Sequence, residues 1–172
     1  HRHTRLVIRT QQRRSTRRYD VVPKRVHYHQ GIEHTVTREE LVMKIKYAVA
    51  ARSDPNFMIM GRTDAMKTHG FEEGVIRANM MIEAGADAVQ LFPNTIEECK
   101  RVTKEVKGHV CYVNSEGNRF DRPIFNVKQF EDMGFKMTTN PTALLCPVTQ
   151  TIKQVLANFR DKGESGLPQQ EM

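Results

Sequence analysis

The sequence predicts an α/β fold with a parallel sheet. Short, continuously apolar runs, typical of strands buried on both faces, alternate with longer segments of helical periodicity. The strand centres fall near residues 59, 90, 111 and 137, which gives about four βα units. Strands joined by helices of this length form right-handed crossovers. An open, doubly wound sheet also fits this alternation, although no Gly-x-Gly-x-x-Gly follows a strand.

A helix that begins at Thr37 and ends before Asp54-Pro55 precedes the first predicted strand. Thr37-Arg-Glu-Glu40 has the form of a capping box, in which a hydroxyl and a carboxylate satisfy free amides at the helix start. Phe57-Met-Ile-Met60 follows as a buried strand and runs into the polar group Gly61-Arg-Thr-Asp64.

The remaining elements follow from the same two patterns. Gly85 is placed to stop the second helix, and Thr95 is placed to cap the third. The predicted helices are Phe71–Ala84, Thr95–Val106, Val127–Met133 and Ala143–Arg160, and the predicted strands are Ala88–Phe92, Val110–Val113 and Lys136–Thr139.

The net charge of +7 comes from the N-terminal tail. Residues 1–25 hold nine Lys or Arg and one acid, whereas the remainder holds 18 basic and 19 acidic residues. The tail is interpreted as a disordered or frame-shifted leader over residues 1–20. The alternative is a nucleic-acid-binding arm, whose arginines would contact phosphates. A chain that starts at His1 is also expected to be a fragment.

The composition favours a reducing, cytoplasmic protein. Cys99, Cys111 and Cys146 are far apart and match neither a zinc site nor a disulfide framework. No run of eighteen apolar residues indicates a membrane span.

Candidate site residues follow the predicted strands, because the reaction of a βα barrel takes place at the carboxyl ends of its strands. Arg62 follows the first strand and suits bidentate binding of a carboxylate or phosphate. The alternative is that Arg62 pairs with Asp64 while Thr63 or Asp64 caps the next helix. Asn114, Ser115 and Glu116 follow the third strand and suit an oxygen-rich substrate, although the same residues suit a simple turn.

Histidines cluster before the first helix, where a general acid or base in a mobile loop is one interpretation and a solvated loop the other. No carboxylate lies near them at a recognisable metal spacing. These histidines are His27, His29 and His34.

Taken together, the motifs resemble the isocitrate lyase and phosphoenolpyruvate mutase superfamily, in its methylisocitrate lyase and dimethylmalate lyase branch. The resemblance covers roughly 140 residues. The motifs, in the family's order, are Pro23-Lys-Arg25, Ala48-Val-Ala-Ala-Arg52, Asp54-Pro-Asn-Phe57, Gly61-Arg-Thr-Asp-Ala65, Glu83-Ala-Gly-Ala-Asp87, Leu91-Phe-Pro93, Asn114-Ser-Glu-Gly117 and Met133-Gly-Phe-Lys136.

The resemblance implies the C-terminal half of a (β/α)8 TIM barrel over residues 21–166. Residues 167–172 are expected to form a flexible tail. The resemblance also implies a carbon–carbon lyase or decarboxylase that uses Mg²⁺ on a small 2-oxo or 2-hydroxy dicarboxylate, in a homotetramer that exchanges its final helix. Phosphonopyruvate hydrolysis and phosphoenolpyruvate mutation are the alternative chemistries. Arg62 would hold the carboxylate, while Lys24 and Arg25 would belong to a gating loop.

The sequence also departs from the family. Val26-His-Tyr28 stands in place of Cys-Gly-His, so His27 or His29 is the hypothetical replacement for the acid that quenches the enolate. Asn94 stands in place of a glutamate and Cys146 in place of an arginine, which favours a smaller diacid over a tricarboxylate. No Asp-x-Asp magnesium segment is present, so the chain is expected to be inactive by itself.

Overall fold

The computed structural model describes residues 5–9 (backbone only), 35–118 and 121–168. This part of the chain contains five strands and six helices, with one helix between successive strands except for two between the second and third strands. The strands are β1 Arg5–Arg9, β2 Met58–Arg62, β3 Ala88–Leu91, β4 His109–Val113 and β5 Met137–Thr139. The helices are α1 Arg38–Ala51, α2 Ala65–His69, α3 Phe71–Glu83, α4 Ile96–Glu105, α5 Val127–Asp132 and α6 Leu145–Lys162.

The sheet is parallel throughout, and its strands are ordered β1-β2-β3-β4-β5. An open, doubly wound sheet reverses its strand order part-way, whereas a barrel adds each strand beside the previous one. The sequential order therefore excludes the doubly wound alternative and matches a segment of a βα barrel.

The two faces of the sheet carry different layers. The main core joins the helices to one face and includes Leu41 and Ile45 of α1, Met81 of α3 and Tyr112 of β4. A smaller apolar cluster, formed by Met60, Ala88 and Cys111, covers the opposite face. In a closed barrel that second face would be the interior.

Local signals explain how the helices begin and how one of them packs. The Thr37 hydroxyl accepts a hydrogen bond from the Glu40 amide at 3.2 Å, although the Glu40 carboxylate pairs with Lys44. Gly85 adopts φ 101° after α3, as its predicted stop position requires. Gly61 allows α3 to pack close to β2, because a Cβ there would lie 2.5 Å from the Met81 sulfur.

Two elements were not predicted. Residues Arg5–Arg9, which lie within the predicted leader, form a strand that pairs in parallel with β2. Its Leu-Val-Ile centre has strong strand propensity, but the flanking arginines led to its interpretation as a tail. The short helix α2 was also missed, since five residues carry too little periodicity to reveal it.

Helix α6 lies outside the core. None of its residues is buried, and its apolar side chains recur every three or four residues on one side. This stripe consists of Leu145, Val148, Ile152, Leu156 and Phe159, each more than half exposed. In the part of the chain that the structure describes, no helix is long and apolar enough to cross a membrane.

Candidate active site

The candidate residues lie at the carboxyl edge of the sheet. Arg62 ends β2 and is in register with Gln90 of β3, which is in register with Cys111 of β4. Asn114 comes directly after β4, and its backbone amide donates to the Thr139 carbonyl at the end of β5. The parallel sheet therefore places Arg62 and Asn114 at the same end of the molecule.

Arg62 is a buried arginine held in a fixed orientation. Only 6% of its surface is exposed, and its Nε and Nη2 atoms donate to Asp64 Oδ1 at 3.2 and 3.0 Å. Its guanidinium carbon lies 4.5 Å from the centre of the Phe92 ring. The ion pair with Asp64 is thus present, and the Thr63 hydroxyl accepts from the Ala65 amide at the start of α2.

Arg122 is a second buried arginine beside the same aromatic ring. It is 5% exposed, and its guanidinium carbon lies 5.0 Å from the centre of Phe92. Asn118 fixes the backbone of Arg122, because its Oδ1 accepts from the Arg122 amide at 2.9 Å and its Nδ2 donates to the Arg122 carbonyl at 3.2 Å. Two guanidinium groups therefore lie against the same aromatic ring, and guanidinium groups suit the binding of carboxylates.

Sequence reasoning missed Arg122. The residue lies eight positions beyond Asn114, past a loop rich in Gly and Asn, and nothing in its immediate neighbours marks it as a site residue. The available signal was its position on the loop after a strand, which is where a βα barrel places its functional groups.

Asn114 acts as a clamp for this loop. Its side-chain Oδ1 accepts from the Phe125 amide at 3.1 Å, and its Nδ2 donates to the Phe125 carbonyl at 3.0 Å. A side-chain amide has two lone pairs and two N–H groups, so one acceptor and one donor position remain beyond these two bonds. The geometry thus gives Asn114 a structural task and leaves capacity for a ligand.

The other predicted substrate-binding residues differ in burial. Ser115 is 2% exposed, and its hydroxyl lies 3.4 Å from the Thr142 hydroxyl. Glu116 is exposed, and its backbone carbonyl accepts from Thr142. Asn94 is also exposed, and its backbone amide donates to Glu98 at 2.6 Å. Among these three, Ser115 has the enclosed position that a binding residue requires.

Beneath the site, Tyr112 connects the core to the loop that carries Arg122. The Tyr112 hydroxyl donates to the Pro123 carbonyl at 2.7 Å. Burial is the main cause that raises the pKa of this hydroxyl. Burial also raises the pKa of the Cys99 thiol to about 12. Both groups therefore remain protonated at neutral pH, so Cys99 is not a nucleophile there.

The described residues do not fit a magnesium site. Within residues 35–118 and 121–168, no three His, Cys, Asp or Glu side chains converge to hold a metal ion. The predicted loop residues Lys24, Arg25, His27 and His29 lie outside the part of the chain that the structure describes.

Comparison with curated proteins gives partial-length matches. The chain is 38% identical over 133 residues to 2,3-dimethylmalate lyase of Eubacterium barkeri, covering 77% of the chain and 45% of that protein. It is 43% identical over 136 residues to 2-methylisocitrate lyase of Escherichia coli strain K12, covering 78% of the chain and 45% of that protein. The chain therefore spans about half the length of the curated relatives it matches.

Comparison with solved structures also gives matches to about half of the related chain. A crystal structure of 2,3-dimethylmalate lyase, a PEP mutase/isocitrate lyase superfamily member, superposes with a TM-score of 0.79 at 26% identity. The match covers 98% of this chain and 53% of the solved one. The family described as phosphoenolpyruvate phosphomutase matches residues 25–160. The partial barrel and its motifs thus show that the chain belongs to the phosphoenolpyruvate phosphomutase family, within the PEP mutase/isocitrate lyase superfamily.

Proposed function

We propose that this chain binds a small 2-oxo or 2-hydroxy dicarboxylate and derives from a carbon–carbon lyase or decarboxylase. The carrying observation is the pair of buried arginines, Arg62 and Arg122, around Phe92 at the carboxyl edge of the sheet. Buried guanidinium groups bind carboxylates more strongly than exposed ones do, because the local dielectric constant is low. Family membership, shared with dimethylmalate lyase and methylisocitrate lyase, supports this substrate class.

Each site residue has a task in this proposal. Arg62, oriented by Asp64, holds one carboxylate of the acid. Ser115 and Asn114 hydrogen-bond its oxygens, with Asn94 and Glu116 at the rim. Lys24 and Arg25 are proposed to take part in catalysis, and His27 or His29 would replace the acid that protonates the enolate. Mg²⁺ is the expected cofactor of complete relatives, where it would stabilise the enolate.

The test is a substrate panel on the chain as it exists. Oxaloacetate, dimethylmalate and phosphonopyruvate are titrated by calorimetry, and turnover is followed with and without Mg²⁺. We expect the two carboxylic diacids to bind without turnover, because no Asp-x-Asp segment is present to hold the metal. If neither oxaloacetate nor dimethylmalate binds, the proposal is wrong. Selective turnover of phosphonopyruvate would favour carbon–phosphorus chemistry instead.

We also propose that the apolar stripe of α6 packs against a second copy of the chain. Five apolar side chains that are each more than half exposed on one helix face form a patch typical of a protein interface. The exchanged final helix implied by the family resemblance supports a second copy as the occupant. The assembly would then bury a face that the described core leaves open.

Leu156→Glu is expected to dissociate this assembly, since it places a charge in the middle of the stripe. The matched control is Gln154→Glu, which adds the same charge to the same helix away from the stripe. Light scattering coupled to size exclusion measures the molar mass of the three proteins. We expect oligomers for the wild type and Gln154→Glu and a monomer for Leu156→Glu. A monomeric wild type at every concentration contradicts the interface.

A further inference from the structure

Gln90 is a buried amide on the same face of the sheet as Arg62. The two residues are in register on neighbouring parallel strands, so their side chains project to the same side. Gln90 is 7% exposed. Within the described part of the chain, no group hydrogen-bonds to its side-chain amide, although its backbone carbonyl accepts from the Thr63 amide at 3.4 Å.

The Gln90 amide keeps a small solvent-accessible area, since it is not among the fully enclosed polar atoms that lack a partner. It can therefore contact a ligand at the carboxyl edge of the sheet, next to Arg62. The neighbouring side chains on this face, Met60, Ala88 and Cys111, are apolar and buried. A leucine or methionine at position 90 would continue that apolar layer. Within the described part of the chain, no hydrogen bond of the side chain explains the glutamine.

We infer that Gln90 is a specificity-determining residue that recognises the neutral 2-oxo or 2-hydroxy oxygen of the acid whose carboxylate Arg62 holds. This inference rests on the proposed function. An amide both donates and accepts, so it pairs with a carbonyl or a hydroxyl oxygen. It carries no charge and does not compete with Asp64 for the Arg62 guanidinium. A site with such a group disfavours an analogue that lacks the oxygen.

The probes are malate and succinate, which share two carboxylates and differ in the 2-hydroxyl group. Calorimetry of the whole chain is expected to show tighter binding of malate than of succinate. In Gln90→Leu the affinity for malate falls by about tenfold, as the loss of one hydrogen bond in a buried site predicts, while the affinity for succinate is unchanged. The matched control is Gln150→Leu on exposed α6, which leaves both affinities unchanged.

A second measurement separates recognition from a structural role. The ligand-free melting temperature of Gln90→Leu is expected to be close to that of the wild type, because the amide makes no hydrogen bond within the described residues that the substitution would break. A clear loss of melting temperature shows a structural role and overturns the inference. For a variant that does not fold, Gln90→Met supplies the same comparison with an unbranched side chain.

The two proposals fail in different ways. If the wild type binds neither malate nor succinate, the proposed function is wrong and the role of Gln90 falls with it. If the wild type binds both acids equally, or if Gln90→Leu weakens both equally or neither, the role of Gln90 alone is wrong.

Discussion

Arg62→Lys is expected to weaken the binding of oxalate, the simplest dicarboxylate probe, by about ten- to a hundredfold, which corresponds to one lost hydrogen bond between charged groups. Lysine retains the positive charge beside Asp64 but lacks the planar fork of donors. It also loses the stacking over the Phe92 ring, 4.5 Å from the guanidinium carbon. Calorimetric titration of the whole chain measures the change in the dissociation constant.

The matched control is Arg101→Lys. Like Arg62, Arg101 forms ion pairs, here with Glu72 and Glu105, and lies near an aromatic ring, 4.3 Å from the centre of Phe71, but its side chain is 40% exposed. Exposed ion pairs contribute little to stability, so this variant should keep the oxalate affinity and unfold almost as the wild type does. Equal oxalate affinities for the wild type and Arg62→Lys would remove Arg62 from the binding site.

Phe130→Ala is expected to lower the free energy of unfolding by about 3–5 kcal/mol, the usual cost of deleting a buried aromatic ring. Phe130 is 5% exposed, and its ring centre lies 5.5 Å from those of Tyr112 and Phe125 and 5.8 Å from that of Phe135. Single domains have a total stability of about 5–15 kcal/mol, so this single change removes a large part of it. Urea unfolding gives the difference.

The control lies in the same helix. Val127 of α5 is 71% exposed, so Val127→Ala should change the stability by less than about 0.5 kcal/mol. Similar losses in the two variants would show that the aromatic cluster is not a packed unit. The cluster also supports the site, because Phe125 is the backbone partner of Asn114 and Tyr112 binds the Pro123 carbonyl beside Arg122. Phe130→Ala is therefore expected to weaken oxalate binding as well.

The local signals of the sequence predicted most of the elements. The caps at Thr37 and Thr95 are confirmed by hydrogen bonds from Glu40 and Glu98. The apolar runs β2 to β4 are strands, and the partial barrel is confirmed by the strand order and the solved relatives. The caps and the apolar runs depend on residues within a few positions of one another, so a single stretch of sequence is enough to predict them.

Tertiary structure alone decided the composition of the site. Arg62 and Arg122 are 60 positions apart and lie against the same Phe92 ring only because three parallel strands end at one edge. The pairing of Arg62 with Asp64 was one of two interpretations open from the sequence, and the structure contains that ion pair. The exposure of each side chain also depends on how the layers pack. That packing buries Gln90 beside Arg62 and leaves the apolar stripe of α6 exposed. The sequence by itself determined the elements and the family, whereas contacts between distant segments depend on the packing of the whole chain.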